Sequence, residues 1–469
     1  MAPWPRLNGI LALAALLQGC STAGQLIGAE RVPSLEQHPQ IQVVFNQRED
    51  SHYRSPISGQ WRAGDNLEAL ILEAIGAARS EILVAVQELS LPAIAQALAQ
   101  QHQRGVQVKV VLEHLYSQPW SGEHDAALTP HQRQRKRQLM AVADRNGDGQ
   151  LSEDERQQGD AIAILQRAGV PLLDDTADGS KGSGLMHSKY VVVDGRTVIT
   201  GSANFTASGI HGDPGAPQTR GNANHLLRID SPELAARFRE DFGRMWGDGP
   251  GGRSDSRFGL AKGQGGADSL RVGDTPVQVL FAPHRRSDPS NGLALIASVL
   301  AEAQEQIDLA LFVFSAQSLT NQLAERLNHQ VRLRLVADPG FASRPFSEVL
   351  DLLGVAMADR DCRIERDNQP LQRGAEGVGT PQLARGDKLH HKFAVIDRKT
   401  VITGSFNWSP SAAHQNDEVL LVIRSPQVAA HFSREMDRLW RSADLGITER
   451  LRRKLERNRQ RCGSGIERD

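Results

Sequence analysis

Two segments of the chain place a histidine, a lysine and an aspartate at the same spacing. They are His187-Ser188-Lys189 with Asp194, and His390-His391-Lys392 with Asp397. Each is followed by a Gly-Ser-x-Asn run: Gly201, Ser202 and Asn204 in the first, and Gly404, Ser405 and Asn407 in the second. Side chains alternate along a strand, so each histidine shares a face with the lysine two residues on. An imidazole beside an ammonium suits a tetrahedral anion. The lysine holds phosphate oxygens as a point charge, and the Asn and the Ser/Gly backbone add donors where charge develops. Asp194 and Asp397 fall on the opposite face, at the start of a turn, and are expected to be mainly structural, ordering the turn and the surroundings of the lysine. His391 also lies on that other face and reads as a bystander. Two plain β-hairpins carrying His and Lys on a polar face would be the blander reading. Two copies with six matched polar or Gly positions at one offset disfavour it.

The elements that must position these residues are themselves repeated. Glu81–Glu113 aligns without gaps to Gln306–Asp338 at an offset of 225, His187–Asn204 to His390–Asn407 at 203, and Ser231–Trp246 to Ser425–Trp440 at 194. The middle match is identical at 11 of 18 positions. Three matches in the same order mean two copies of one domain. The falling offset places extra residues in repeat 1, mostly between its second strand and the His motif. Ile82–Val86 and Val106–Leu112 are apolar, β-branched strand candidates with an amphipathic helix between them. The expected fold is α/β: two tandem layered domains, each with a mixed sheet. The boundaries are a leader at 1–19, an anchor linker at 20–40, repeat 1 at 41–247, a Gly-rich linker at 248–274, repeat 2 at 275–441 and a basic tail at 442–469. Thr448 caps the helix of that tail, which holds seven Lys/Arg and reads either as a solvated face or as a contact for anionic lipid or nucleic acid.

The doubled His-x-Lys-x4-Asp and Gly-Ser-x-Asn pattern resembles the phospholipase D superfamily across roughly residues 41–441. The resemblance implies that the two motifs meet at a pseudo-two-fold axis and form one active site. One of His187 and His390 attacks phosphorus and becomes a phosphohistidine. The other protonates the leaving alcohol and then activates water or an alcohol. Lys189, Lys392, Asn204 and Asn407 bind phosphate, with Ser202 and Ser405 beside them; no cofactor is implied for catalysis. The family also holds an imidazole nitrogen with a downstream carboxylate. Glu418 stands at that position in repeat 2, and Asn224 in repeat 1 departs from the pattern. A carboxylate makes its imidazole partner more basic and an amide does not, so the histidines are expected to be inequivalent, with a lean to His390 as nucleophile.

Within the extra residues of repeat 1, Asp144 to Glu155 resembles an EF-hand calcium loop. Asp144, Asn146 and Asp148 stand at positions 1, 3 and 5, Gly149 at 6, the Gln150 carbonyl at 7, Ser152 at 9 and Glu155 at 12. Thr129–Ala143 and Glu153–Gly169 read as its flanking helices, making an inserted helical hand of about 129–169. A structural Ca2+ is expected there.

Lys+Arg is 54 against Asp+Glu 55, which excludes a global polycation, and aromatics are only 5%. Arg6 is the only charge before residue 20, and Ile10 to Leu17 is an apolar run of eight, too short to span a bilayer. Leu17-Gln18-Gly19-Cys20 resembles a bacterial lipobox, so Cys20 is the expected lipidation site. Ser21 after it points to the outer membrane. The chain is then an exported, envelope-located, lipid-anchored monomer, with Cys362 and Cys462 left to pair or not. Phospholipid is the expected substrate and partner, and DNA or RNA the alternative.

Overall fold

A computed structural model describes residues 32–180, 184–263, 265–463 and 467–468. Residues 34–469 form one compact unit. The leader and Cys20 lie outside the described residues. Among the described residues no helix is long and apolar enough to cross a membrane.

Repeat 1 lays down β1 (Ile41–Phe45), α1 (Leu67–Ala77), β2 (Glu81–Val86), α2 (Pro92–Gln103) and β3 (Gln107–Leu112). Then come the inserted helices α3 (Pro130–Ala143), α4 (Glu153–Gly159) and α5 (Ala161–Arg167), and β4 (Leu172–Asp174). The hairpin β5 (Lys189–Val193) and β6 (Thr197–Gly201), β7 (His225–Asp230) and α6 (Pro232–Trp246) complete it. Repeat 2 supplies β8 (Asp268–Val272), β9 (Thr275–Ala282), α7 (Gly292–Ala301), β10 (Gln306–Leu311), α8 (Gln317–Asn328), β11 (Arg332–Ala337) and β12 (Val378–Thr380). It continues through β13 (Lys392–Ile396), β14 (Thr400–Gly404), β15 (Glu418–Arg424), α9 (Pro426–Arg441), β16 (Asp444–Leu445) and α10 (Glu449–Cys462).

The first sheet runs β1-β7-β6-β5-β2-β3-β4, and the second β8-β9-β15-β14-β13-β10-β11-β12-β16. In both, the strand–helix–strand unit is parallel (β2 with β3, β10 with β11) and the motif hairpin pairs antiparallel to it. This is the expected mixed α/β architecture in duplicate. A central core draws on both repeats. It joins residues such as Val43, Tyr190 and Leu227 to Val279, Phe393 and Leu421, with Phe238 of α6 and Phe432 of α9 between. Each repeat keeps a second core under its outer helices.

Three expectations about boundaries change. The helix expected over Glu153–Gly169 breaks at Asp160, whose φ of −95° and ψ of 105° are not helical. Its carboxylate caps α5 through the N–H groups of Ile162 and Ala163 and accepts from Ser121 N as well. The Gly-rich stretch is not a loose connection: Phe258 and Lys262 are buried in it, and its end becomes β8, paired with β9. The basic tail is docked. Leu451, Leu455 and Cys462 are buried along one stripe of α10, and Cys462 forms a disulfide with Cys362.

Candidate active site

The segments carrying the two histidines cross between repeats. His187 N donates to Asp417 O at 3.0 Å and Asp417 N to Leu185 O at 2.9 Å. Symmetrically, His390 N donates to Ala223 O at 3.0 Å and Ala223 N to Lys388 O at 2.8 Å. Met186 thus bridges Asp417, and Leu389 bridges Ala223. Each histidine is therefore stitched to the start of the other repeat's strand after the Gly-Ser-x-Asn run.

That crossing decides the side-chain partners. His187 Nδ1 lies 2.8 Å from Glu418 Oε2, and His390 Nδ1 lies 2.9 Å from Asn224 Oδ1. The carboxylate of repeat 2 thus serves the histidine of repeat 1, which removes the ground for the lean to His390 as nucleophile. A carboxylate accepts, so His187 carries its proton on Nδ1 and presents a lone pair on Nε2. Asn224 Nδ2 donates to Gly209 O at 2.8 Å, which turns Oδ1 toward His390. His390 therefore also keeps Nδ1–H and leaves Nε2 free.

Ser202 and Ser405 do not face substrate, contrary to expectation. Both are fully buried. Ser202 Oγ donates to Asn224 Oδ1 at 2.8 Å and accepts from His225 N; Ser405 Oγ donates to Glu418 Oε2 at 2.6 Å and accepts from Val419 N. They hold the groups that hold the histidines. Asp194 and Asp397 do not reach the site either. Each sits at positive φ, 52° and 49°, in the hairpin turn at the far end of its strand. Asp194 accepts the N–H groups of Arg79, Ser80 and Glu81, and Asp397 those of Gln304, Glu305 and Gln306. They pin β2 and β10 beside the hairpin and leave the lysines alone.

Lys189 and Lys392 are buried, each donating to the carbonyl of its own histidine, at 2.6 and 2.7 Å. Burial pulls the Lys189 ammonium down to about 7, with Glu418 opposing, and carries Lys392 well below its ordinary value, helped by Lys189. Burial lowers His187 to about 4; Glu418 pulls upward, but less than burial and the neighbouring lysines pull down. His390, with no carboxylate, is held well below its ordinary value by burial and by Lys392. Burial thus biases both imidazoles toward the neutral form and disfavours the charged form of both lysines, which an arriving anion would restore. Asn204 Oδ1 and Asn407 Oδ1 are buried and have no hydrogen-bond partner among the described residues.

His187, His390, Asn204 and Asn224 line one cleft of about 530 Å3. Several residues there escape the sequence reading. Gln87 accepts from Lys189 Nζ at 3.4 Å and from Asn204 Nδ2 at 3.2 Å. Its counterpart across the 225-residue offset is Phe312, which packs on His390 with ring centres 4.7 Å apart and lies 5.0 Å under Lys392 Nζ. The alignment contains this Gln/Phe difference, but nothing in it shows that the position faces the lysine. The inserted helix α3 forms a wall through Gln134, Arg135, Gln138, Leu139 and Val142. Arg135 pairs with Glu88 at 2.8 Å, and Gln138 donates to Asp213 at 2.5 Å. His391 is not idle: its Nε2 meets Glu435 at 2.9 Å and its Nδ1 meets His225 Nδ1 at 3.0 Å, deep between the repeats. Lys262, from the Gly-rich stretch, is buried between Asp241 at 2.6 Å and Asp417 at 2.9 Å, next to Glu418.

Residues 71–246 and 296–440 match the family model described as "Cardiolipin synthase, PLD-like domain". The chain belongs to this PLD-like family. Each matched stretch contains one His/Lys/Asn set and one of the residues that hold the histidines. The mitochondrial cardiolipin hydrolase of Xenopus laevis is 27% identical over 170 residues, 36% of this chain and 70% of that one. The mouse protein of that name (Mus musculus) is 30% identical over 166 residues, 34% of this chain and 62% of that one. Among solved structures, phosphatidylserine synthase of Haemophilus influenzae Rd KW20 is similar over 92% of this chain and 95% of that one, with a TM-score of 0.53 at 13% identity, a likeness of fold.

Proposed function

We propose that the protein is a phospholipase D-type phosphodiesterase that cleaves, or transfers, phospholipid head groups. The observation that carries this reading is the pair of imidazoles in one cleft, each with Nδ1 anchored across the repeats and Nε2 free, beside two buried lysines. The diester phosphate sits against Lys189, Lys392, Asn204 and Asn407. His187 Nε2 attacks phosphorus, because Glu418 balances the positive charge of the phosphoimidazolium that forms. The P–O bond to the head group breaks, and His390, protonated once the phosphate charge is in place, gives its Nε2 proton to the leaving oxygen. Water then enters; His390 takes its proton while oxygen bonds to phosphorus and the P–N bond to His187 breaks. An alcohol in place of water gives transfer. Curated relatives named cardiolipin hydrolases support a phospholipid substrate.

Export with a lipid anchor at Cys20 would hold the enzyme in the bacterial envelope, probing the membrane it acts on. The Cys362–Cys462 disulfide is compatible with that oxidising compartment. The Asp144–Glu155 loop joins α3 to α4 and offers a donor set that fits Ca2+: Asp144, Asn146, Asp148, Ser152, Glu155 and the Gln150 carbonyl. Glu155 is held down to about 2 by Ser152 and by the N–H groups of Arg145 and Asn146, so it stays ionised for a cation. Such an ion would steady the helix that walls the cleft. A cation that binds only the folded chain raises its melting temperature by several degrees when well above its Kd. Calcium should do so for the native protein and not for Glu155→Gln; no shift in either removes the metal.

Head-group release from phospholipid vesicles, measured beside nicking of plasmid DNA, tests the substrate. Intact lipid with nicked DNA would replace this reading with a nuclease.

A further inference from the structure

On the repeat 2 side, α10 and the loops beside β12 and after β11 enclose a second groove, of about 800 Å3. Its floor is apolar, with Ala342, Val349, Leu353, Leu383 and Leu451. Its rim is basic: Arg450, Lys454 and Arg457 recur at i, i+4 and i+7 on one stripe of α10 and all line it. Arg450 and Arg457 form no salt bridge or hydrogen bond among the described residues, whereas Arg452 and Arg453 are taken up by Glu449. Lys454 bonds Ser343 Oγ at 3.2 Å, and its ammonium is pulled down by burial and by the crowd of Arg344, Arg450 and Arg457. Glu449 and Asp444 also line the groove; Asp444 accepts from Gln382 at 3.3 Å.

This stripe is built in. The adjoining stripe of α10 is buried through Leu451, Leu455 and Cys462, Asn458 exchanges two hydrogen bonds with the Ala358 backbone, and Cys462 is tied to Cys362. Large apolar side chains stand exposed beside it: Leu445 (45%) and Ile447 (37%) flank the groove residue Gly446, and Phe346 (37%) follows the loop that supplies Ala342 and Ser343. That loop also supplies Phe341, whose ring packs on Phe312 at 4.7 Å, the residue against His390.

Unpaired cations beside exposed apolar side chains match a surface that is anionic outside and hydrocarbon within. A nucleic acid would use the cations and leave the apolar members in water. We propose that this groove docks the protein on an anionic phospholipid bilayer, with Arg450, Lys454 and Arg457 at lipid phosphates and Phe346, Leu445 and Ile447 in the interfacial layer. The loop that lines the groove reaches the cleft through the Phe341–Phe312–His390 ring contacts. The docking surface goes beyond the catalytic reading and stands without it.

The test uses residues 34–469, the compact unit, so that no anchor contributes. Binding is measured to phosphatidylcholine vesicles with and without phosphatidylglycerol, and to duplex DNA. The expected result is binding to the mixed vesicles that weakens with salt. An Arg450→Gln/Arg457→Gln variant should lose roughly thirtyfold, and a Leu445→Ser/Ile447→Ser variant several-fold. Melting temperatures of the variants are matched first. Cleavage of a monomeric short-chain phosphodiester, read separately, should be unchanged in both variants; its absence throughout would count against the catalytic reading alone. Unchanged vesicle binding in both variants overturns the docking surface, and so does a loss confined to DNA.

Discussion

His187 rests its Nδ1 on a carboxylate and His390 rests its own on an amide, at nearly equal distance. Around the first stands Gln87, tying Lys189 to Asn204; around the second stands Phe312, packed on both Lys392 and His390. Each supporting group is itself held by the same serine of the same motif, Ser405 or Ser202. The frame is thus two-fold and its chemistry is not. A hydrogen bond to an ionised partner is roughly twice as strong as a neutral one. The half with Glu418 can carry a lasting positive charge, and the half with Asn224 can only pass a proton through.

The largest expected effect follows from that division. His187→Ala should remove all turnover, roughly 10^4-fold or more. His390→Ala should still form a phosphohistidine from a substrate with a good leaving group, then stall. Mass spectrometry locates the phosphate; finding it on His390 in the His187→Ala protein would break the assignment. Next, Glu418→Gln should cost about 10^2–10^3-fold in kcat, while Asn224→Asp should cost at most about tenfold, because His390 needs orientation more than charge. Equal losses would mean the two halves are interchangeable.

The pH profile sharpens the same contrast. His187 must lose its proton to attack, so kcat/KM should rise as pH climbs through about 4. It should fall as pH climbs through about 7, where Lys189 loses its charge. In Glu418→Gln the upward pull on His187 is gone, so the acid limb should move to lower pH. Stability follows separately. His187 is a base lowered on folding, so its contribution is complete above the unfolded value near 6.5 and drains away as pH falls toward about 4. Thermal melts across that window check it. The smallest effects belong to the flanks: Gln87→Leu should cost about tenfold in kcat/KM and Phe312→Leu only a few-fold. A larger loss at Phe312 would show that its packing on His390 matters more than a polar tie.

The duplication, the mixed sheet and the His, Lys and Asn of each motif were legible because they are local or periodic. Strand alternation places His and Lys on one face, and a repeat displays its matches at a constant offset. Asp194 and Asp397 were half legible: the turn role followed from residue type, but their N–H partners lie across the sheet, about ninety to one hundred and fifteen residues away in sequence. Ser202 and Ser405 misled because a hydroxyl beside a motif can face inward as easily as toward substrate, and only burial tells which.

The sequence by itself determined that there are two His/Lys/Asn sets, and that one repeat carries a carboxylate and the other an amide at the matching support position. Only the tertiary structure decided which histidine each partner serves. Met186 bridges to Asp417 and Leu389 to Ala223 across the repeats, so each histidine meets the support residue of the opposite copy. It also decided that α3 walls the cleft and that the basic helix α10 is fastened beside a groove. Such pairings depend on how two sheets meet around a shared core, and no spacing along one chain encodes that contact.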